Sequence, residues 1–188
     1  GADLFVKVIS ASRDPWSVDV VRAEATARPA LPADTPAPAL LWSTVDGEWV
    51  TLAFEAVDGH QPDLVGSARD RAAVYTALGE LSHASVPSPS HLPAFADAFG
   101  ADLIAWRRLA AAEDQEERLV RLGSLRPWVE RNLDALVAWE SGALEAAQGD
   151  RLVHGDMRAD NLIVDHDRVW IVDWPYASVG APWRMYAS

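Results

Sequence analysis

The stretch LVHGDMRADNLIVDHDRVWIVDWPYA, Leu152 to Ala177, sets five aspartates, one asparagine and two histidines among short apolar runs. Leu152 and Val153 lead into HGDMRADN, after which LIV (Leu162 to Val164) and RVWIVDW (Arg168 to Trp174) flank DHD at Asp165 to Asp167. Apolar runs on either side of a polar turn predict a hairpin. Asp156 and Asn161 then stand on the loop entering it, and Asp173 at the far end of its second strand. Both ends of a hairpin lie on the same side, so these three side chains are expected to converge. Asp165 and Asp167 fall at the opposite, turn end, where most aspartates cap backbone groups or are hydrated.

Two carboxylates and an amide oxygen in one cleft suit a hard cation such as Mg²⁺, which takes oxygen ligands and keeps waters and substrate phosphates in its shell. Phosphoryl transfer needs this arrangement because charge develops on the transferring phosphate, and one carboxylate must be free to accept a hydroxyl proton. Asp156, four intervening residues and Asn161 reproduce the D-x-x-x-x-N interval of a kinase catalytic loop. Asp173 holds the place of the metal-binding aspartate after the next strand.

On these residues the sequence resembles the aminoglycoside phosphotransferase family, within the protein-kinase-like fold. HGDMRADN is similar to that family's HGDxxxxN motif, and IVDW to its counterpart of the kinase DFG segment. The resemblance implies Asp156 as catalytic base, with Asn161 and Asp173 holding Mg²⁺. His154 is expected to pack and hydrogen-bond the loop rather than react. Arg158, two residues after the implied base, stands where a cation meets the γ-phosphate, and a surface salt bridge is the alternative.

A kinase-like site also needs a lysine on an early strand, paired with a helix glutamate, to hold the α- and β-phosphates. Lys7 lies in the strand-like LFVKVI (Leu4 to Ile9), and Glu24 in a helix predicted over Asp14 to Arg28, where Asp14 before Pro15 is the start signal. Lysine in an apolar strand costs stability unless it is paired or on an edge. Glu24 has a second possible partner in Arg28, four residues on. The resembling fold offers adenine the backbone of the segment after its second hairpin strand. Here that is Phe54, Glu55 and on to Val57, with Gly59 allowing the chain to turn.

Around these motifs, Pro29 to Pro38 is a proline-rich loop, and Asp46-Gly47 between ALLWSTV and EWVTLAFEAV signals a hairpin. Helices are expected over Ala68 to Ala84, roughly Ala94 to Ala112, and Pro127 to Gln148, with a loop from Ser85 to Pro93. The fold class implied is α+β: a protein-kinase-like two-lobed fold with a partial nucleotide-binding lobe over residues 1–58 and a mainly helical lobe over 59–188 carrying the catalytic loop and metal site. Set against the family, the first two strands before Leu4 and the helices after Ser188 are missing, and GAPWRMYAS carries Arg184 and Met185 where the family often has an acidic residue. With Gly1 at its head, the chain reads as an excised or processed piece.

The chain has 188 residues, 49% hydrophobic and 23% charged, enough to bury a core. A net charge of -12 argues against a nucleic-acid partner, which needs clustered Lys and Arg. An acidic surface tolerates a neutral or cationic small substrate. Cysteine is absent, which excludes thiolate chemistry. No apolar run reaches the roughly 18 to 20 residues of a membrane span and nothing resembles a signal peptide, so a cytoplasmic location without membrane attachment is expected. The function implied is ATP- and Mg²⁺-dependent phosphorylation of a hydroxyl on a small molecule, an aminoglycoside-type antibiotic or a metabolite. A noncatalytic nucleotide-binding module or truncated pseudokinase is the alternative. A metal hydrolase is disfavoured because the five histidines form no helical H-x-x-x-H pair.

Overall fold

In the computed structural model, which describes residues 3–83, 91–166 and 168–182, strand alternation organises the first sheet. Strands β1 (Leu4–Ser10), β2 (Leu40–Asp46) and β3 (Trp49–Glu55) pair antiparallel in the order β1-β3-β2. Val50, Leu52 and Phe54 of β3 are buried opposite Ile9, Lys7 and Phe5, whereas Val6 and Val8 are about half exposed on the other face. The β2–β3 hairpin forms where expected. Asp46 faces Trp49, so Gly47 and Glu48 are the loop, and Gly47 adopts φ +55°, which the absence of a Cβ permits. Helix α1 (Pro15–Ala27) packs on β1 and β3. Asp14 caps it by accepting the Ser17 N–H at 3.0 Å, and Pro15 sits at the first position, where a missing N–H costs nothing.

The same compact unit, residues 1–93 with 149–188, contains α2 (Ala68–His83) packed on β4 (Arg151–Val153), β5 (Leu162–Asp165) and β6 (Arg168–Ile171). A short strand β7 (Ser178–Gly180) pairs antiparallel with β4. The predicted β5–β6 hairpin is present, from Leu162 opposite Ile171 to Asp165 opposite Arg168. Its turn has His166 at φ +55°, and Asp167 lies outside the described residues. The second strand, expected to reach Trp174, stops at Ile171. Asp173 takes φ +66°, a left-handed conformation that no extended strand accommodates.

Gly59 has a different physical role from the expected turn. His60 and Val164 exchange backbone hydrogen bonds of 3.1 and 2.8 Å. A Cβ at residue 59 would lie 2.6 Å from the Val164 carbonyl oxygen. Glycine is required there because another backbone passes too close for a side chain.

The second compact unit, residues 94–148, is helical but more broken than its composition suggests. It runs α3 (Phe95–Phe99), α4 (Ala105–Ala110), α5 (Gln115–Arg121), α6 (Arg126–Glu140) and α7 (Ala143–Ala146), with single 3₁₀ turns at 102–104 and 123–125. The expected helix over 94–112 is therefore two helices and a turn. The one over 127–148 splits at Ser141-Gly142 into α6 and α7, and α5 was not anticipated. A contact distant in sequence accounts for the restart at α4. Glu140, buried at the end of α6, accepts the N–H groups of Trp106 and Arg107 at 2.8 Å each, satisfying donors that a helix N-terminus leaves orphaned. Residues 84–90, most of the loop expected from Ser85 to Pro93, and Arg184 and Met185 lie outside the described residues. Among the described residues no helix is long and apolar enough to cross a membrane.

Substituting Gly59→Ala is expected to destabilise the protein by about 1–3 kcal/mol, the usual range for forcing a methyl group into filled space. Denaturant unfolding measures this, and an unchanged midpoint would show that the His60–Val164 crossing yields freely.

Candidate active site

Lys7 stands on β1, an edge strand of its sheet and half-buried, and both expected ways of tolerating a lysine there are realised. Its Nζ donates to Glu24 Oε2 and to Asp173 Oδ1, each at 2.7 Å. Burial works against the ammonium, but the two carboxylates outweigh it and hold its pKa above the ordinary lysine value. Glu24, only 2% exposed, is pushed above the usual carboxyl range by burial, against the lowering effect of Lys7. Its second oxygen accepts the Trp174 N–H at 3.3 Å. Glu24 therefore joins β1, α1 and the segment after β6. Arg28, the alternative partner, turns away and donates from Nε to Pro38 O and from Nη2 to Ala37 O, both at 2.7 Å.

The HGDMRADN loop is held from beneath by a buried imidazole. His154 is fully buried, its Nε2 donates to Val172 O at 3.0 Å, and its Nδ1 accepts the Asp156 N–H at 3.3 Å. Those two bonds specify the neutral tautomer with hydrogen on Nε2. Burial keeps its pKa below 6.5. Trp174, 1% exposed, packs edge-on against it with ring centroids 4.5 Å apart. Asn161 Nδ2 donates to Asp156 O at 2.9 Å and approaches Asp156 Oδ2 at 3.5 Å, while Asn161 O accepts the Val172 N–H at 2.9 Å. The loop and the segment leaving β6 are thus tied together around the three expected site residues. Arg158 forms a two-pronged ion pair with Asp160, with Nε at 2.9 Å from Oδ1, and its Nη1 lies 3.8 Å from Asp156 Oδ2.

A cavity of about 490 Å³ opens beside these groups. Lys7, Glu24, Phe54, Glu55, Val57, Asn161 and Asp173 all line it, whereas Asp156 and Arg158 do not. Asp156 adjoins it through Asn161. The N–H groups of Glu55 and Ala56 are committed to Ala39 O and Asp3 O at 3.0 and 3.1 Å. Of the peptide N–H groups at 55–57, the one at Val57 has no hydrogen-bond partner among the described residues. Arg28, Ile163, Val172 and Trp174 are among the further wall residues that sequence reasoning did not assign, although Trp174 belongs to the quoted IVDW segment. Tyr176 was also missed. Burial raises its pKa, and the Asp156 and Asp173 carboxylates raise it further, which sets its phenol within their field.

No group of three or more acids or histidines able to hold a metal ion is found among the described residues. The side-chain donors that Asn161 and Asp173 bring to the cavity wall are oxygens. Because Asn161 gives its Nδ2 hydrogens to Asp156, its Oδ1 remains an acceptor, and Asp173 adds a carboxylate on the same cavity wall. Two protein oxygens fit a magnesium ion that draws its remaining ligands from water and phosphate.

The model of the APH phosphotransferase enzyme family matches residues 1–184. Among solved structures, a thermostable mutant of aminoglycoside phosphotransferase APH(4)-Ia in ternary complex with AMP-PNP and hygromycin B is similar at 16% identity with TM-score 0.58, over 100% of this chain and 64% of that one. The gentamicin complex of APH(2″)-IIa is similar at 19% identity and TM-score 0.60, over 98% of this chain and 65% of that one. An aminoglycoside phosphotransferase from Alicyclobacillus acidocaldarius is similar at 16% identity and TM-score 0.52, over 100% of this chain and 60% of that one. No curated protein matches the sequence. This chain therefore has the α+β, kinase-like fold of those enzymes and spans somewhat less than two thirds of their length.

The buried imidazole makes stability depend on pH. Because the folded protein holds His154 below its ordinary pKa of 6.5, the unfolded chain binds more protons as pH falls through that value. The contribution is present above about pH 6.5 and is lost on acidification. Denaturant unfolding at about pH 8 and about pH 5.5 should show a smaller difference for His154→Gln than for the unmodified protein. Identical pH slopes would exclude this residue as a source of acid sensitivity.

Proposed function

The chain belongs to the phosphotransferase enzyme family, and from that premise we propose that it transfers the γ-phosphoryl group of ATP, with Mg²⁺, to a hydroxyl of a small molecule. The observation that carries this reading is the Lys7 ammonium, held between Glu24 and Asp173 at 2.7 Å on the wall of a cavity that Asn161 also lines. A fixed cation facing two oxygen donors is the electrostatic complement of a metal-bound triphosphate.

In this reading Lys7, oriented by Glu24, holds the nucleotide phosphates. Phe54, Glu55 and Val57 form the edge that faces the base, and Val57 offers the peptide N–H that lacks a partner among the described residues. Asn161 and Asp173 hold the magnesium, which supplies neutralisation of phosphate charge when bound. Asp156, with its side chain 29% exposed, takes the proton of the acceptor hydroxyl. That oxygen forms a bond to the γ-phosphorus while the bond from the γ-phosphorus to the β,γ-bridging oxygen breaks, leaving nucleoside diphosphate. Arg158, paired with Asp160 and 3.8 Å from Asp156 Oδ2, is the cation beside the base that would meet the transferring group. Positioning and electrostatics supply most of the acceleration.

The acceptor class follows from two supports. Solved relatives are complexes with hygromycin B and with gentamicin. The net charge of -12 favours a cationic acceptor of that kind.

Asp156→Ala is expected to lower the rate of transfer by about 10²–10⁴-fold, the range for loss of a positioned general base, while leaving Mg-ATP affinity largely intact. Asp173→Ala is expected to weaken Mg-ATP binding itself. Calorimetry reads the two affinities, and mass spectrometry of aminoglycosides and hydroxyl-bearing metabolites incubated with ATP and Mg²⁺ reads phosphoryl addition. Equal turnover by the Asp156→Ala variant would remove that residue from the role of base.

A further inference from the structure

Lys7 is the only lysine among the 188 residues, and its ammonium is shared between two carboxylates that differ in freedom. Glu24 is locked, with its side chain 3% exposed and its other oxygen on the Trp174 N–H. Asp173 is open, with its side chain 41% exposed. We propose that Lys7 guards the metal position: in the free protein its ammonium occupies Asp173, and a divalent cation binds there only together with a polyphosphate that draws the ammonium away. The proposal rests on the reading of Asp173 as a metal carboxylate.

The argument is one of competition for a single carboxylate. A cation coordinated by Asp173 would bring its two positive charges close to an ammonium that is itself 2.7 Å from the same side chain. Like charges at that separation repel strongly in a partly buried site. The protein offers little in return, because Asn161 and Asp173 are the only oxygen donors assigned to the ion, and no group of three or more metal-holding side chains exists among the described residues. A triphosphate changes both sides of the balance. It provides further oxygen ligands for the cation and a new anionic partner for Lys7, which stays anchored by Glu24 while it exchanges Asp173 for phosphate. Removing Lys7 should then have opposite effects on two ligands of one site, tightening the bare cation and weakening the nucleotide.

The test uses the single lysine as its probe. In the unmodified chain carrying lysine labelled with ¹³C at Cε, magnesium chloride alone should leave the one Lys7 resonance in place, and magnesium with AMP-PNP should move it. A shift with magnesium alone as large as that with AMP-PNP would overturn the guard. No response to magnesium with AMP-PNP would overturn the nucleotide reading, and the guard with it. In parallel, Mn²⁺ binding without nucleotide, measured by electron paramagnetic resonance, should tighten about tenfold in Lys7→Met relative to the unmodified chain. The same gain should appear in Lys7→Met with Glu24→Gln relative to Glu24→Gln alone. A gain confined to the single variant would mean that Glu24, freed from its partner, had become a new ligand, and would overturn the proposal.

Discussion

Much of the first unit depends on how one buried carboxylate is satisfied. Glu24 is placed by α1 but faces groups from β1 and from the segment after β6, and it is nearly inaccessible to water. An ionised side chain in that position is tolerable only if its oxygens are filled, and the Lys7 ammonium and the Trp174 N–H fill them. Removing one partner of such a pair typically costs about 3–5 kcal/mol, because the other charge is then stranded. The same geometry that makes Glu24 affordable fixes the position of Lys7 relative to Asp173, so structural and chemical requirements coincide on one side chain.

A second set of bonds orients the loop, centred on His154, which does not line the cavity, and on Asn161, which does. His154 donates to Val172 O and accepts from Asp156 N–H, while Asn161 accepts from Val172 N–H and donates to Asp156 O. Residues 156 and 172 are therefore joined twice, once through the His154 imidazole and once through Asn161, whose side chain donates to Asp156 O while its backbone carbonyl accepts from Val172. Trp174 completes this set by packing on the imidazole and donating its indole N–H to Ile171 O at 2.7 Å. Such fixed dipoles reduce the reorganisation that a reacting site must undergo.

What could be read from the sequence divides along physical lines. The motif residues were legible because polar groups set at fixed intervals among buried apolar residues need partners, and few arrangements supply them. The pairing of Lys7 with Glu24 was implied by the resemblance to a kinase-like site, which asks for a lysine on an early strand and a helix glutamate, and the two groups stand 2.7 Å apart; Asn161 and Asp173 line one cavity. The interruption of the helices in residues 94–148 did not. It depends on Glu140 capping α4 from more than thirty residues away, and local periodicity carries no record of such a contact. Gly59 shows the same limit in miniature. A glycine after a strand is ordinarily read as a turn, yet here it answers to the Val164 carbonyl, over a hundred residues distant in the chain. Arg28 was open to two readings because an i,i+4 partner was available, and two backbone carbonyls outcompeted Glu24 for it.

Asp173 is where fold and chemistry pull hardest against one another. A residue with a Cβ at φ +66° costs on the order of 1–3 kcal/mol unless its surroundings impose it, and aspartate tolerates the region better than most. The surroundings here do impose it. Leu162 pairs with Ile171 at the open end of the hairpin, the Val172 N–H is spent on Asn161 and its carbonyl on His154, and the Trp174 N–H is spent on Glu24. With residues 171, 172 and 174 all fixed, the backbone at 173 has little choice, and its carboxylate is delivered to Lys7. An extended conformation at this position would continue β6 and carry the carboxylate away from that ammonium. The local strain is thus the means by which a strand end becomes part of a cavity wall, and it is sustained by hydrogen bonds on both sides of it.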